Sequence, residues 1–146
     1  MIRLGLEHIQ QLSFPDFNVT GVKFDPACRY LEIAIDGAFF EDRSKGKLLN
    51  YGKLCFSHWE DFKAAQYNST SDNWSPLPLN CIDNLKDICG FKYIKGKVYI
   101  EGFGKTSGLW TQLVKIRQFL TCQSCAIFLR KMAHDENLLS ITHKLA

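Results

Sequence analysis

KVYIEGFGKTSGLW, residues 97–110, joins the clearest strand pattern in the chain to its densest cluster of glycines. Val98 and Ile100 alternate with Lys97, Tyr99 and Glu101, which is typical of a strand with one face against a core. Glycines then follow at positions 102, 104 and 108, and they allow the backbone to turn sharply or to approach another group closely. We therefore predict a strand that ends in a glycine-rich turn.

Two hairpins are indicated by the same alternation. Residues 22–25 and 31–36 alternate apolar and polar side chains on either side of a turn at Pro26–Arg29. Residues 91–94 and 97–100 do so around Gly96, which suits a tight turn. A further strand is predicted from Tyr51 to His58. The stretch 109–120 fits either a strand or a helix, and we favour a strand because Thr, Val and Ile are common in strands.

Helices are predicted where apolar residues recur every three to four positions. The first covers residues 4–12, and a second begins at Asn80 or Cys81 and ends at Gly90, a common residue just after a helix. Residues 124–132 and 135–145 have the same character, and Trp59–Tyr67 could enter a helical turn. Residues 41–47 and 68–78 are rich in charged, glycine, proline or small polar residues, so we predict loops there.

Together these elements predict an α+β fold. We expect a single antiparallel sheet of about five or six strands, built from hairpins, with helices packed on one face. The 146 residues fit one globular domain, residues 1–146, with its own core.

Charge and cysteine content indicate the environment of the protein. The 18 basic and 15 acidic residues are interspersed along the chain, which argues against nucleic acid as a partner. The uncharged apolar runs are too short to cross a membrane, and the N-terminus lacks the apolar run of a secretory signal. The six cysteines would then stay reduced, so we expect a cytoplasmic protein. Three sequons, at Asn18, Asn68 and Asn73, leave secretion open as a minor alternative.

The glycine-rich segment Gly102–Gly108 resembles the second half of a phosphate-binding loop, with Lys105 as the cation. The spacing does not fit, since the motif requires a glycine where Tyr99 stands. A phosphate loop also belongs to a parallel sheet with crossover helices, which the predicted hairpins exclude. A hairpin loop is the better interpretation, and a nucleotide or anion site at Lys105 is kept as the alternative.

Cys122-Gln-Ser-Cys125 has the spacing of a redox or zinc motif. Only 21 residues follow Cys125, too few for the remaining strands of a thioredoxin-type domain. Zinc would need two further ligands, and neither Cys81 and Cys89 nor the C-terminal histidines repeat the short spacing. We therefore predict two incidental buried cysteines, no metal and no cofactor, with a Cys122/Cys125 metal or redox site as a further alternative.

No catalytic constellation is marked by the sequence. Ser57 and His58 are neighbours on a predicted strand, so their side chains point to opposite faces and cannot pair as nucleophile and base. The carboxylates show no pairing by spacing. The sequence therefore favours a protein that is not an enzyme.

The three tryptophans suggest a binding function instead. Trp59, Trp74 and Trp110 fall at a strand end, in a predicted loop and beside the glycine turn, where a ring can remain half exposed. Such rings dominate protein interfaces because they bury a large area at low entropic cost. We predict a non-catalytic intracellular module that recognises another protein, of adaptor-like or immunity type, through the loops that carry these tryptophans.

Overall fold

A computed structural model describes residues 2–42, 45–82, 85–106, 109–116 and 126–131. Within these ranges the chain forms strands and two short 3₁₀ helices, Leu6–Gln11 and Leu79–Cys81. The strands are β1 (Ile2–Leu4), β2 (Leu12–Ser13), β3 (Val19–Asp25), β4 (Tyr30–Asp42), β5 (Lys45–Ser57), β6 (Asp61–Asn68), β7 (Asn73–Leu77), β8 (Gly90–Ile94), β9 (Lys97–Phe103), β10 (Trp110–Ile116) and β11 (Ala126–Lys131).

The strands form two antiparallel sheets. The first has the order β1-β11-β5-β4, and β2 and β3 pair one after the other with the free edge of β4. The second has the order β7-β6-β10-β9-β8. Both sheets contribute to one buried cluster, which contains Ile33, Leu54 and Phe56 from the first sheet and Phe62 and Ile100 from the second. The described chain is therefore an all-β arrangement of two packed sheets.

The predicted α+β class with one sheet and packed helices is wrong. Residues 124–132 were expected to be helical, but β11 pairs with β1 on one side and β5 on the other. Trp59–Tyr67 passes into β6, and the predicted loop 68–78 contains β7. At the predicted loop 41–47, β4 and β5 continue as a paired hairpin up to Asp42 and Lys45. A short apolar run fits a strand or a helix equally, and pairing with remote strands decides between them.

The predicted helix before Gly90 is also not found in the described residues 79–82 and 85–90. After the 3₁₀ turn Leu79–Cys81, residues 85–89 contain isolated bridges and two bends, and they form main-chain hydrogen bonds in two directions. The Lys86 and Cys89 N–H groups donate to Phe103 and Glu101 of β9, and the Lys86 carbonyl accepts the N–H of Val19. This segment therefore joins the second sheet to the start of β3. At the N-terminus a 3₁₀ helix, Leu6–Gln11, occupies part of the predicted helix 4–12, and residues 135–145 lie outside the described residues.

The antiparallel hairpins are confirmed. β3 pairs with β4, β8 with β9, and β9 with β10, so residues 110–116 are a strand and the glycine-rich segment begins a hairpin connection. Lys95 and Gly96 both have positive φ, 50° and 78°, as a two-residue turn of type I′ requires. This two-residue turn fixes which residues of β8 pair with which residues of β9.

Candidate functional site

Trp59 is part of the core rather than an exposed anchor. Its ring is 6% exposed and lies parallel to that of Phe24, with centroids 6.2 Å apart. The Phe62 ring packs on it at 5.2 Å. The indole Nε1 is buried and has no hydrogen-bond partner among the residues that the structure describes. Trp59 therefore stabilises the packing between the sheets, and a partner protein does not have access to it.

Trp74 is exposed in the structure. It lies on β7 at the edge of the second sheet, and 42% of the residue is exposed. Its ring contacts that of its cross-strand neighbour Tyr67, with centroids 5.6 Å apart. The Tyr67 hydroxyl donates a hydrogen bond to the Asp72 carboxylate, which raises the pKa of Tyr67. The Tyr67 ring, which is fixed by its hydrogen bond to Asp72, therefore helps to hold the Trp74 indole in place.

The connection between β6 and β7 is ordered by its own polar side chains. The Asn68 carboxamide oxygen accepts the N–H groups of Thr70 and Ser71, at 2.9 and 3.3 Å. The Ser71 hydroxyl donates to the Asn73 carboxamide oxygen at 2.8 Å. Because these contacts already order the loop, it loses less conformational entropy when it binds a partner. The loop also places exposed polar groups beside Trp74, as at the rim of a protein interface.

Pro76 limits what the outer edge of β7 can bind. Proline has no N–H, so it is tolerated in an edge strand where that position faces away from the ladder. The pair Ala65–Pro76 in the register of β6 and β7 fits this placement. A strand added to the outer edge of β7 would therefore find no N–H donor at Pro76. Recognition at this edge would have to use side chains, Trp74 above all.

Trp110 and Lys105 lie elsewhere. The backbone of Trp110 belongs to β10 and pairs with Phe103, while its side chain is outside the described part of the structure. β6 separates this strand from β7, the strand that carries Trp74. Lys105 is exposed in the connection after β9. The predicted binding residues are therefore not gathered into one described surface.

Two amide groups of the segment Gly102–Gly108 are bonded within the protein. The Phe103 N–H donates to the Asp87 carboxylate at 2.9 Å, and the Gly104 N–H donates to the Leu109 carbonyl at 2.8 Å. A phosphate-binding loop needs free amides that converge on an anion. Here a carboxylate already occupies part of that position and would repel a phosphate. Residues 107 and 108 are outside the described residues.

Cys122 and Cys125 also lie outside the described residues, so their roles stay predictions. Cys28, Cys55, Cys81 and Cys89, which are described, are free thiols. The Asp25 hydrogen bond raises the pKa of Cys28, burial raises that of Cys55, and partial burial raises that of Cys89, which is still exposed to solvent. Thiols of this kind are poor nucleophiles, since the thiolate is the reactive form. In the described ranges no group of three or more His, Cys, Asp and Glu side chains could hold a metal ion.

A polar cluster that sequence reasoning missed lies on the outer face of β4. Glu32 is only 9% exposed although its neighbours Leu31 and Ile33 face the core. Its carboxylate accepts hydrogen bonds from the Tyr30 hydroxyl at 2.8 Å and the Lys53 ammonium at 3.0 Å. Lys23 approaches to 3.8 Å. The cross-strand pairing of β3, β4 and β5 creates this cluster, and no spacing in the sequence indicates it. Every contact of the carboxylate is internal, which fits a structural role.

We expect this cluster to make stability depend on pH. The hydrogen bond from Tyr30, followed by that from Lys53, lowers the pKa of Glu32. The stabilisation is therefore complete above the unfolded-state pKa of about 4.3 and is lost as the pH falls through the lower folded-state value. Glu32→Gln should lower the free energy of unfolding by about 1.5 kcal/mol at pH 7, the low end for hydrogen bonds to a charged group, because the Lys53 side chain is half exposed.

Urea denaturation at pH 7 and pH 3 measures this effect. The difference between the wild-type protein and Glu32→Gln should shrink at pH 3, whereas Glu60→Gln, at an exposed position, should match the wild type at both. A difference that stays constant with pH would contradict the assignment.

The structure also reveals a groove that the sequence did not indicate. It has a volume of about 700 Å³ and lies between residues 12–18 and residues 86–92, where the two sheets meet. The Phe14 and Phe91 rings meet edge to face at 5.4 Å in its lining. Pro15, which has no N–H to donate to a strand ladder, was the available signal. It marks a break in the chain but not which remote segment faces the break.

Comparisons with protein-family models, with curated proteins and with solved structures give no match. In the described part of the chain no helix is long and apolar enough to cross a membrane. The side chains and surfaces described above are therefore the basis for a functional proposal.

Proposed function

We propose that this protein is a non-catalytic module that recognises another protein through the β6–β7 hairpin, with Trp74 as its anchor. The proposal rests on the geometry of Trp74. This large ring lies on the edge strand β7, is 42% exposed, and packs against the ring of Tyr67. A ring that is already fixed loses little entropy when a partner covers it. Tryptophan and tyrosine are the residue types most often found at the centre of protein interfaces.

The surroundings of Trp74 support the same proposal. The loop beside it carries amide and hydroxyl groups that are exposed and held by local hydrogen bonds. An apolar centre with a polar rim is the usual organisation of a protein interface. We also propose that the protein is cytoplasmic, because the exposed free thiols of Cys28, Cys81 and Cys89 are typical of a reducing compartment.

Trp74→Ala tests the proposal. We expect the affinity for the partner to fall at least tenfold, because a central tryptophan contributes about 2 kcal/mol or more to binding. The melting temperature should change little, since the ring is half exposed and its removal opens no core cavity. The measurement is calorimetric titration of the purified partner, identified first by capture on the wild-type protein, into each variant.

Ile94→Ala is the matched control, because Ile94 is 49% exposed at the end of β8. It should bind the partner as the wild type does. Equal affinity of wild type and Trp74→Ala would contradict the proposal. A large loss of stability in Trp74→Ala would assign the ring a structural role instead.

A further inference from the structure

The outer face of the second sheet carries aromatic residues beyond Trp74. Ala64 of β6 and Ile100 of β9 are buried in the core. Side chains alternate between the two faces of a strand, so Tyr67 and Phe103, each three positions further on, lie on the opposite, outer face. Phe103 is 41% exposed, close to the 42% of Trp74. The outer face therefore presents a second exposed aromatic ring.

The pairing register brings these residues into one row across four strands. Trp74 is directly opposite Tyr67. β6 and β10 pair without a register shift up to the residue before Tyr67, which aligns Tyr67 with Trp110. Trp110, of which the structure describes the backbone, is in turn opposite Phe103. We call this line of positions on β7, β6, β10 and β9 the aromatic row.

A ligand on the aromatic row is held by side chains rather than by the main chain. β6, β10 and β9 each have a paired strand on both sides, so their N–H and carbonyl groups are used within the ladders. The outer edge of β7 lacks a donor at Pro76. A polyproline II segment suits such a surface, because it is already extended and has no internal hydrogen bonds. Proline-rich segments in this conformation bind to surfaces lined by aromatic rings.

The spacing of the row favours the same conformation. Neighbouring strands are about 4.8 Å apart, so Tyr67 and Phe103, two strands apart, are separated by about 9.6 Å. Polyproline II has three residues per turn and repeats its face every 9.3 Å or about that. A β-strand repeats its face at about 6.6 Å and an α-helix at about 5.4 Å, so neither brings successive contacts to this spacing.

Opposite charges flank the two ends of the row. Asp72 is exposed at the β6–β7 end, where one oxygen of its carboxylate accepts the Tyr67 hydroxyl and the other makes no bond among the described residues. Lys105 is exposed two residues after Phe103 and has no ion-pair partner in the part of the chain that the structure describes. A segment with a cation at one end and an anion at the other would complement this surface.

We propose that the aromatic row binds a proline-rich segment of the partner in the polyproline II conformation, with Phe103 as a second anchor beside Trp74. One proline packs on the Tyr67–Trp74 pair and another, three residues along, packs on Phe103. A basic residue at one end of the segment meets Asp72, and an acidic residue at the other end meets Lys105. This inference rests on the proposed function, because it names the kind of segment that the same site recognises.

The probe is a fluorescent, blocked heptapeptide that consists of arginine, five prolines and glutamate. Its ends are about 19 Å apart in the polyproline II conformation, enough to span the row and reach both charges. Fluorescence anisotropy should show saturable binding to the wild type. A peptide with the same ends but glycine and serine between them is flexible and should bind at least tenfold more weakly.

Phe103→Ala and Trp74→Ala should each weaken binding of the proline peptide at least fivefold. Ile94→Ala is the matched control, because Ile94 is also exposed but lies on β8, outside the row, and it should bind as the wild type does. Thermal melts check that each variant is folded. If Phe103→Ala loses stability, Phe103→Leu takes its place, since it keeps the bulk of the side chain without the aromatic face.

Lys105→Glu tests the charge at the far end of the row without removing a ring. It should reverse the preference, so that a peptide with arginine at both ends binds more tightly than the one with arginine and glutamate. An unchanged preference would contradict the assignment of Lys105.

The inference is overturned if the wild type does not bind the proline peptide, or if the change at Phe103 leaves its affinity unaltered. It is also overturned if the purified partner depends on Trp74 but is not displaced by the proline peptide, and in that case the proposed function stands. Wild-type affinity of Trp74→Ala for the partner would instead contradict the proposed function.

Discussion

Trp59→Ala is expected to lower the free energy of unfolding by about 3–5 kcal/mol, as replacement of a buried aromatic residue by alanine usually does. The ring is 6% exposed and packs between Phe24 and Phe62, so its removal leaves a cavity where the sheets meet. Chemical denaturation measures the loss, and the melting temperature should fall by roughly 10 °C or more in a domain of this size.

Trp59→Phe separates packing from hydrogen bonding at the same position. It keeps an aromatic ring against Phe24 and removes the buried Nε1 donor, which has no partner among the described residues. Since an unsatisfied buried donor is itself destabilising, Trp59→Phe should cost clearly less than Trp59→Ala. A loss below about 1 kcal/mol in Trp59→Ala would be incompatible with a core position.

Gly102→Ala is expected to destabilise the protein by about 3 kcal/mol, the upper part of the range for overpacking. The added methyl group would lie 2.0 Å from the Asp87 carbonyl oxygen, a main-chain atom that cannot rotate away. The segment 85–89 would have to retreat and weaken its hydrogen bonds to Glu101 and Phe103.

Gly46→Ala is the matched control for this change. No atom lies within 4 Å of a Cβ added at Gly46, so its free energy of unfolding should stay within about 0.5 kcal/mol of the wild type. Urea denaturation of both variants gives the comparison. Similar values for Gly102→Ala and Gly46→Ala would show that segment 85–89 can move without cost.

The two candidate surfaces differ in how far the sequence could predict them. Trp74 was identified from its residue type and its polar neighbours, and the structure exposes it. The same reasoning selected Trp59, because the sequence alone does not distinguish a buried tryptophan at the end of a strand from an exposed one. The difference depends on Phe24, which is 35 positions away in the chain. The groove could not be predicted, because its walls come from segments about 75 positions apart.

The sequence by itself determined the hairpins. Alternation over residues 22–25, 31–36 and 91–100 and the turn at Lys95-Gly96 depend on neighbouring residues, whose φ angles and side-chain directions are set locally. Only the tertiary structure decided that residues 85–89 bridge to remote segments, that residues 126–131 form a strand, and that the strands divide into two sheets. Those segments satisfy their main-chain groups with Val19, Glu101 and the strands β1 and β5. Hydrogen bonds to such remote partners form only when the chain folds, and the local pattern of apolar and polar residues does not indicate them.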